Sequence, residues 1–341
     1  MKKKRRKSYV PALVLAALAG LAVFFGFRWL ADNKLPNVSE PVEVYVRPSS
    51  SAADVLGQIS GSVRRPGSLE RMFRAKKVGE YMQPGHYSFG AGTSSVYIAR
   101  ALNNCWQTPV KLTLSGSLRL RGEIARKISS QMMLDSAEVA AALSDAALLK
   151  EFGVTPATVF AAFMPDTYEI YWTASMREIL ERNKAACDAF WTADNLAKAK
   201  AQGLTRAQAV TLASIVKGES RVQGDFARIA GVYLNRLRKG MKLQADPTVA
   251  YCFDYTLNRV LKKHLAVDSP YNTYKHAGLP PGPICVPDRA YLEAVLNPSV
   301  SEGYLFFCAS PSFDGTHRFA RTYAEHQKNA REFQRALSAR R

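Results

Sequence analysis

With 341 residues, 47% of them apolar and 22% charged, the chain is too apolar for a disordered protein and long enough for two modest domains. Its 47 Lys and Arg against 28 Asp and Glu leave a net charge of +19, which favours a polyanionic partner: nucleic acid, anionic lipid or acidic cell-wall polymer. The odd set of cysteines at 105, 187, 252, 285 and 308 contains no CxxC pair, so no metal-ligand spacing and no disulfide framework can be read from it.

The chain opens on MKKKRRKSYVPALVLAALAGLAVFFGFRW. Lys2, Lys3, Lys4, Arg5, Arg6 and Lys7 precede a run from Ser8 to Phe27 that carries no charge. At ~1.5 Å per residue a helix over that run is about 30 Å long, enough to cross a bilayer core. The Ala-x-Ala site inside it (Ala17, Ala19) is followed by more apolar sequence, which favours an uncleaved anchor over a signal peptide. The basic cluster predicts a cytoplasmic N-terminus, and Trp29 suits the far interface. The expected organisation is a cytoplasmic tail over 1–8, a transmembrane anchor over 9–30 and a polar linker over 31–41. Everything later then lies outside the cytoplasmic membrane, which argues against nucleic acid as a partner.

VEVYVRP (42–48) alternates like a strand, and Ser50 or Ser51 caps a helix after it. Turn, strand, turn and helix follow, so 42–105 reads as a small α/β module. A connecting α/β segment spans 106–175, with a hinge or junction near Pro165. From 176 the pattern is mainly helical. Thr205 and Gln208 fit a capping box. Asp225 is expected to cap the next helix, whose stripe is Phe226, Ile229, Ala230, Tyr233 and Leu237, and Gly240 ends it. GYLFFCAS reads as a buried strand, HRFA as another, and a closing helix follows.

The stretch LASIVKGES (212–220) carries the sharpest chemical signal. Ala209, Leu212, Val216 and Glu219 follow one another at i+3 and i+4 spacing, so Glu219 extends the apolar stripe while Lys217 turns roughly the other way. A carboxyl on a buried stripe is desolvated, its pKa rises, and it suits a general acid near neutral pH. The competing reading is a helix-end carboxylate paired with Arg221 or Arg228. Two Pro- and Gly-rich loops, QADPTVAY (244–251) and SPYNTYKHAGLPPGPICVP (269–287), gather Gln244, Asp246, Thr248, Tyr251, Asn272, Thr273 and Tyr274. Amides, hydroxyls and tyrosine rings suit carbohydrate, although the same residues also build turns. The histidines lack HExxH or HxH spacing and Ser214 lacks a GxSxG context, so no metal, no cofactor and no serine nucleophile are expected.

These stretches, with RIAGVYLNRLRKGMKLQADPTVAY, GTHRFARTYAEH and the upstream MPDTYEIY and PGHYSF, resemble the endolytic murein transglycosylases of the MltG/YceG-like type. The resemblance implies an α+β fold: an N-terminal transmembrane helix, a small LysM-like α/β module over 42–105, and a mixed α+β catalytic domain over 176–341. It implies cleavage of the MurNAc–GlcNAc β-1,4 bond in nascent peptidoglycan, leaving 1,6-anhydroMurNAc ends and terminating glycan elongation. Glu219 is then the catalytic acid and base, and Gln244, Asp246, Thr248, Tyr251, Asn272 and Tyr274 are the candidate substrate contacts. The implied setting is the cytoplasmic (inner) membrane, single-pass, with the catalytic domain periplasmic or otherwise extracytoplasmic and peptidoglycan synthases (penicillin-binding proteins) nearby. Where the family pattern after ASIV reads Glu-Lys-Glu-Thr, this chain has Lys217-Gly218-Glu219-Ser220, which keeps the second acid and replaces the first. That replacement keeps a second reading open, a membrane-anchored peptidoglycan-binding scaffold without activity. A hydrolase using Asp246 and water is a third, and a basic DNA-binding protein a distant fourth.

Overall fold

The computed structural model describes residues 9–340, so the basic tail expected over 1–8 lies outside the described residues. The protein is mixed α+β. Among the described residues its strands pair two by two, and helices supply most of the core.

The first of two compact units runs through Val110 and takes in Glu169–Thr173. It begins with helix α1 (Val10–Asn33), whose apolar side chains up to Leu30 are exposed. At ~1.5 Å per residue its 24 residues reach about 36 Å, long enough to cross a membrane. The last turn of α1 is different: Ala31 and Asp32 are buried. Strand β1 (Val42–Val46) follows, then α2 (Ala52–Ile59), α3 (Pro66–Ala75), the single turn α4 (Val78–Tyr81), β2 (Gly85–Phe89) and α5 (Ser95–Asn103). β1 and β2 are antiparallel, with Val42 opposite Phe89 and Val46 opposite Gly85. Strand alternation turns Val44 and Val46 inward onto Val55, Ile59, Leu69 and Tyr87. Ser51 caps α2 in a reciprocal capping box with Asp54. Asp32 receives two hydrogen bonds from Arg71 of α3, at 2.6 and 2.9 Å. The segment read as a linker is folded onto the module: Val38 and Asn37 are fully buried, and the Asn37 side chain bonds Ser95 and Arg65.

The second unit holds Lys111–Tyr168 and the chain from Ala174 onward. Strand β3 (Val110–Leu114) pairs with β4 (Asp166–Ile170), and α6 (Arg121–Ser129), α7 (Ser136–Ala142) and α8 (Ala146–Glu151) lie between them in sequence. The helices α9 (Met176–Phe190), α10 (Ala193–Ala201), α11 (Arg206–Glu219), α12 (Gln223–Arg238), α13 (Asp246–Tyr251) and α14 (Arg289–Leu296) come next. Strands β5 (Phe306–Ala309) and β6 (His317–Ala320) form an antiparallel hairpin, and α15 (Tyr323–Ala339) closes the chain. β5, expected to be a buried strand, is only half-buried because it belongs to this two-stranded hairpin.

Helix α11 is the axis of this unit. Every residue from Ala209 to Val216 is buried, so no exposed face remains in the middle of the helix. Its start is the capping box expected at Thr205: Gln208 N–H donates to Thr205 Oγ1 and Thr205 N–H donates to Gln208 Oε1. Ser214 is buried in the packing, its hydroxyl donating to Thr211 O and accepting from Ile284 N–H. α12 does not use Asp225 as its cap. Val222 occupies that position, and the buried Asp225 carboxylate accepts from the backbone N–H of His317 and faces its Nδ1 at 3.0 Å. Gly240, at φ +67, turns the chain after α12 as expected.

Candidate active site

Glu219 is the last residue of α11, and the end of that helix is pinned. Ser220 N–H donates to Val216 O, Ser220 Oγ accepts from Val222 N–H, and Tyr291 Oη donates to Ser220 O. Across from it, Tyr233 of α12, 1% exposed, donates to Glu219 Oε1 over 2.5 Å. Tyr233 sits at i+3 from Arg236, whose guanidinium is itself tied down by the carbonyls of Leu305 (2.7 Å) and Leu243 (2.6 Å). Neither Arg221 nor Arg228 pairs with Glu219; Arg228 faces Glu302 at 3.7 Å.

One edge of Glu219 opens on a cleft of about 330 Å³, lined also by Asp246, Pro247, Tyr255, Arg119 and Arg259. Glu219 as a whole is half-buried. Burial pushes its pKa up to about 7; the Tyr233 hydrogen bond opposes that rise, the Asp246 charge adds to it and Arg236 opposes it. The negative end of the α11 dipole also disfavours the anion. The result is a carboxyl that holds its proton close to neutral pH on the edge of an open cleft, the condition for a general acid.

Asp246 starts α13 and accepts a hydrogen bond from Tyr274 Oη at 2.6 Å. The stretch expected as a loop is thus partly helical, since Pro247 falls in the first turn, where its missing N–H costs nothing. Gly218 lets α13 come close: a Cβ there would lie 2.5 Å from Pro247 Cβ. Lys217 does not point into solvent. Its Nζ donates to Val286 O (2.9 Å) and Gly116 O (3.2 Å) and pairs with Asp288 at 2.7 Å. Lys217-Gly218 therefore acts as packing around Glu219, one residue drawing in two distant loops and the other admitting Pro247.

The remaining sequence candidates divide. Thr248 is fully buried, donates to Ala245 O and shares a 2.8 Å bond with Thr273, which also receives Ala245 N–H. Asn272 is fully buried; its amide donates to Leu265 O and Val267 O and its Oδ1 accepts from Tyr274 N–H. Thr248 ties the 244–251 and 269–287 segments to each other, and Asn272 ties the second to Leu265 and Val267. Tyr251 is half-buried, with its ring 4.7 Å from that of Tyr271. Gln244 is exposed at φ +50, and its N–H donates to Thr273 O. Sequence reasoning missed the role of Tyr233, which it placed only on a core stripe. The available signal was its hydroxyl, since a buried tyrosine requires a partner. It also missed Arg119 and Arg259, which no local pattern marks.

Comparison with known proteins gives a consistent picture. An endolytic murein transglycosylase of Bacillus subtilis (strain 168) is 44% identical over 119 residues, 35% of this chain and 32% of that protein. One from Streptococcus pneumoniae serotype 2 (strain D39 / NCTC 7466) is 24% identical over 369 residues, 95% of this chain and 66% of that protein. The crystal structure of a YceG-like protein from Listeria monocytogenes superposes with a TM-score of 0.56 at 27% identity, covering 85% of this chain and 99% of that one. The sequence model of the YceG-like family matches residues 44–332, and the chain belongs to that family.

Proposed function

We propose that the protein is a lytic transglycosylase of murein, with Glu219 as its single acid and base. The observation that carries this reading is the Glu219 carboxyl itself: raised to about 7 by burial, held by Tyr233, and open on a cleft. The relatives named endolytic murein transglycosylases support the substrate class. In this mechanism Tyr233 occupies Oε1, so the proton of the neutral acid resides on Oε2. Oε2–H protonates the glycosidic oxygen between MurNAc and GlcNAc, the C1–O bond breaks, and GlcNAc leaves with a free 4-hydroxyl. The carboxylate then removes the proton of the muramoyl 6-hydroxyl as that oxygen bonds C1, which closes a 1,6-anhydro ring and restores the acid. No water enters, so the second carboxylate of an ordinary glycosidase is unnecessary.

Asp246 gives a specific reason to weigh a second reading, hydrolysis, because it lines the same cleft. Product mass separates the two. Transglycosylation yields ends lighter by one water than the reducing ends of hydrolysis, and reducing ends from the purified full-length protein would replace the first reading by the second.

In the same proposal α1 is a single-pass anchor in the cytoplasmic membrane with its N-terminus inside. The domain assignment keeps 42–105 as a LysM-like glycan-binding module, supported by the antiparallel pairing of β1 and β2 with the helices α2, α3 and α4 between them, and 176–341 as the catalytic domain. Asp246, Tyr251, Tyr274 and Gln244 stay as substrate contacts, with Thr248 and Asn272 as the internal ties that position them. Action on nascent strands beside peptidoglycan synthases, as a terminase, completes the proposed role.

A further inference from the structure

We infer that Arg119 and Arg259 form a carboxylate-binding subsite in the Glu219 cleft, which takes the anionic side arm carried at C3 of a muramyl residue. The inference rests on the glycan-cleaving reading of this cleft and assigns the residues that recognise that arm. It follows from asking which charged groups of the cleft already have partners. Glu219 has Tyr233, and Asp246 has Tyr274. Lys217 has Asp288 and two carbonyls. Arg119 and Arg259 line the same cleft, and among the described residues neither guanidinium has a hydrogen-bond or ion-pair partner.

Arg119 is nonetheless held in place. Its backbone N–H donates to Glu123 at 2.6 Å, and its guanidinium lies over the ring of Tyr255, 5.0 Å from the centroid. That ring is fixed by the bond from Tyr255 Oη to Ile284 O at 2.9 Å. A guanidinium supported on an aromatic face keeps the N–H groups at its rim free, and that planar fork matches a carboxylate. Arg259 is exposed, a short distance further along the chain from Tyr255, and brings a second positive charge to the same opening.

Two free guanidinium groups bond a carboxylate more strongly than they bond the hydroxyls of a neutral sugar. A polymer of N-acetylglucosamine alone carries no carboxylate. A muramyl residue carries a lactyl ether at O3, whose acid is either free or extended by a peptide with carboxylates of its own. Both sources offer the same chemistry, so the test must separate them.

The test is binding to the full-length Glu219→Gln protein in detergent, so that no turnover is read and failure of the proposed chemistry leaves it intact. Three ligands of matched length are compared: peptide-bearing murein strands, amidase-stripped strands that retain the lactyl acid, and neutral N-acetylglucosamine oligomers. The expected result is a preference for muramyl strands over the neutral oligomer that falls about tenfold when Arg119→Ala and Arg259→Ala are combined, and that also falls with added salt. Loss confined to peptide-bearing strands assigns the contact to the peptide, and loss on both muramyl ligands assigns it to the lactyl acid. Arg259→Ala alone, at an exposed position, should lower the preference about threefold and carries the test if the double variant melts. An unchanged preference in a folded variant overturns the inference, as does the absence of any preference before substitution.

Discussion

Tyr233 and Glu219 stand on consecutive helices and share one short hydrogen bond, the phenol donating to Oε1 over 2.5 Å. Burial raises the Glu219 pKa and this bond opposes the rise. Tyr233→Phe removes the donor and keeps the burial, so the carboxyl should hold its proton to a pH above 7. The alkaline limb of the pH profile for strand cleavage should move upward, and the rate near neutrality should fall about tenfold because the carboxyl loses its fixed orientation. A profile that stays in place would make Tyr233 a packing residue only.

The raised pKa also has a stability consequence. The folded state keeps the Glu219 proton up to about 7, whereas an unperturbed carboxyl releases it near 4.5. Between those values the native state binds more protons, so its stability falls as pH rises through the window. Glu219→Gln does not titrate and escapes that loss. Above pH 7 the variant should be the more stable by at most about 3 kcal/mol, less what solvent at the cleft edge screens. Melting curves at pH 4 and pH 8 check this, with the gap between variant and parent much wider at the higher pH.

Gly218→Ala should damage both fold and site. The added carbon would stand 2.5 Å from Pro247 Cβ and 2.8 Å from Pro247 Cγ, a rigid ring that is itself buried. Relief requires α13 to move, and Asp246 with it. The expected cost is about 1–3 kcal/mol in thermal or denaturant unfolding, with reduced strand cleavage.

Asn272→Ala separates two views of that residue. As a sugar contact it would weaken turnover at unchanged thermal stability. Its burial and its bonds to Leu265 O, Val267 O and Tyr274 N instead predict a loss of about 2 kcal/mol or more, since the carbonyls would be left without their donor. Denaturant titration of the purified variant measures it.

What could be read from sequence was local. The i+3 and i+4 spacing along α11 carried Glu219 onto the buried stripe, and the capping box at Thr205 and the stop at Gly240 are signals within a few residues of one another. What escaped depends on residues distant in the chain. Helix counting turned Lys217 away from Glu219 but could not foresee that Gly116, Val286 and Asp288 would meet its ammonium. Asp225 looked like a cap because it precedes an apolar stripe, yet His317 claims it from 92 positions away. Thr248 and Asn272 belong to residue types that serve turns and sugars alike, and only burial separates the two uses.

The most direct measurement is mass spectrometry of the ends produced when the full-length protein and its Glu219→Gln variant are incubated with uncrosslinked murein strands. The account predicts 1,6-anhydro ends from the parent and none from a folded variant. Anhydro ends from Glu219→Gln at the parental rate would contradict it.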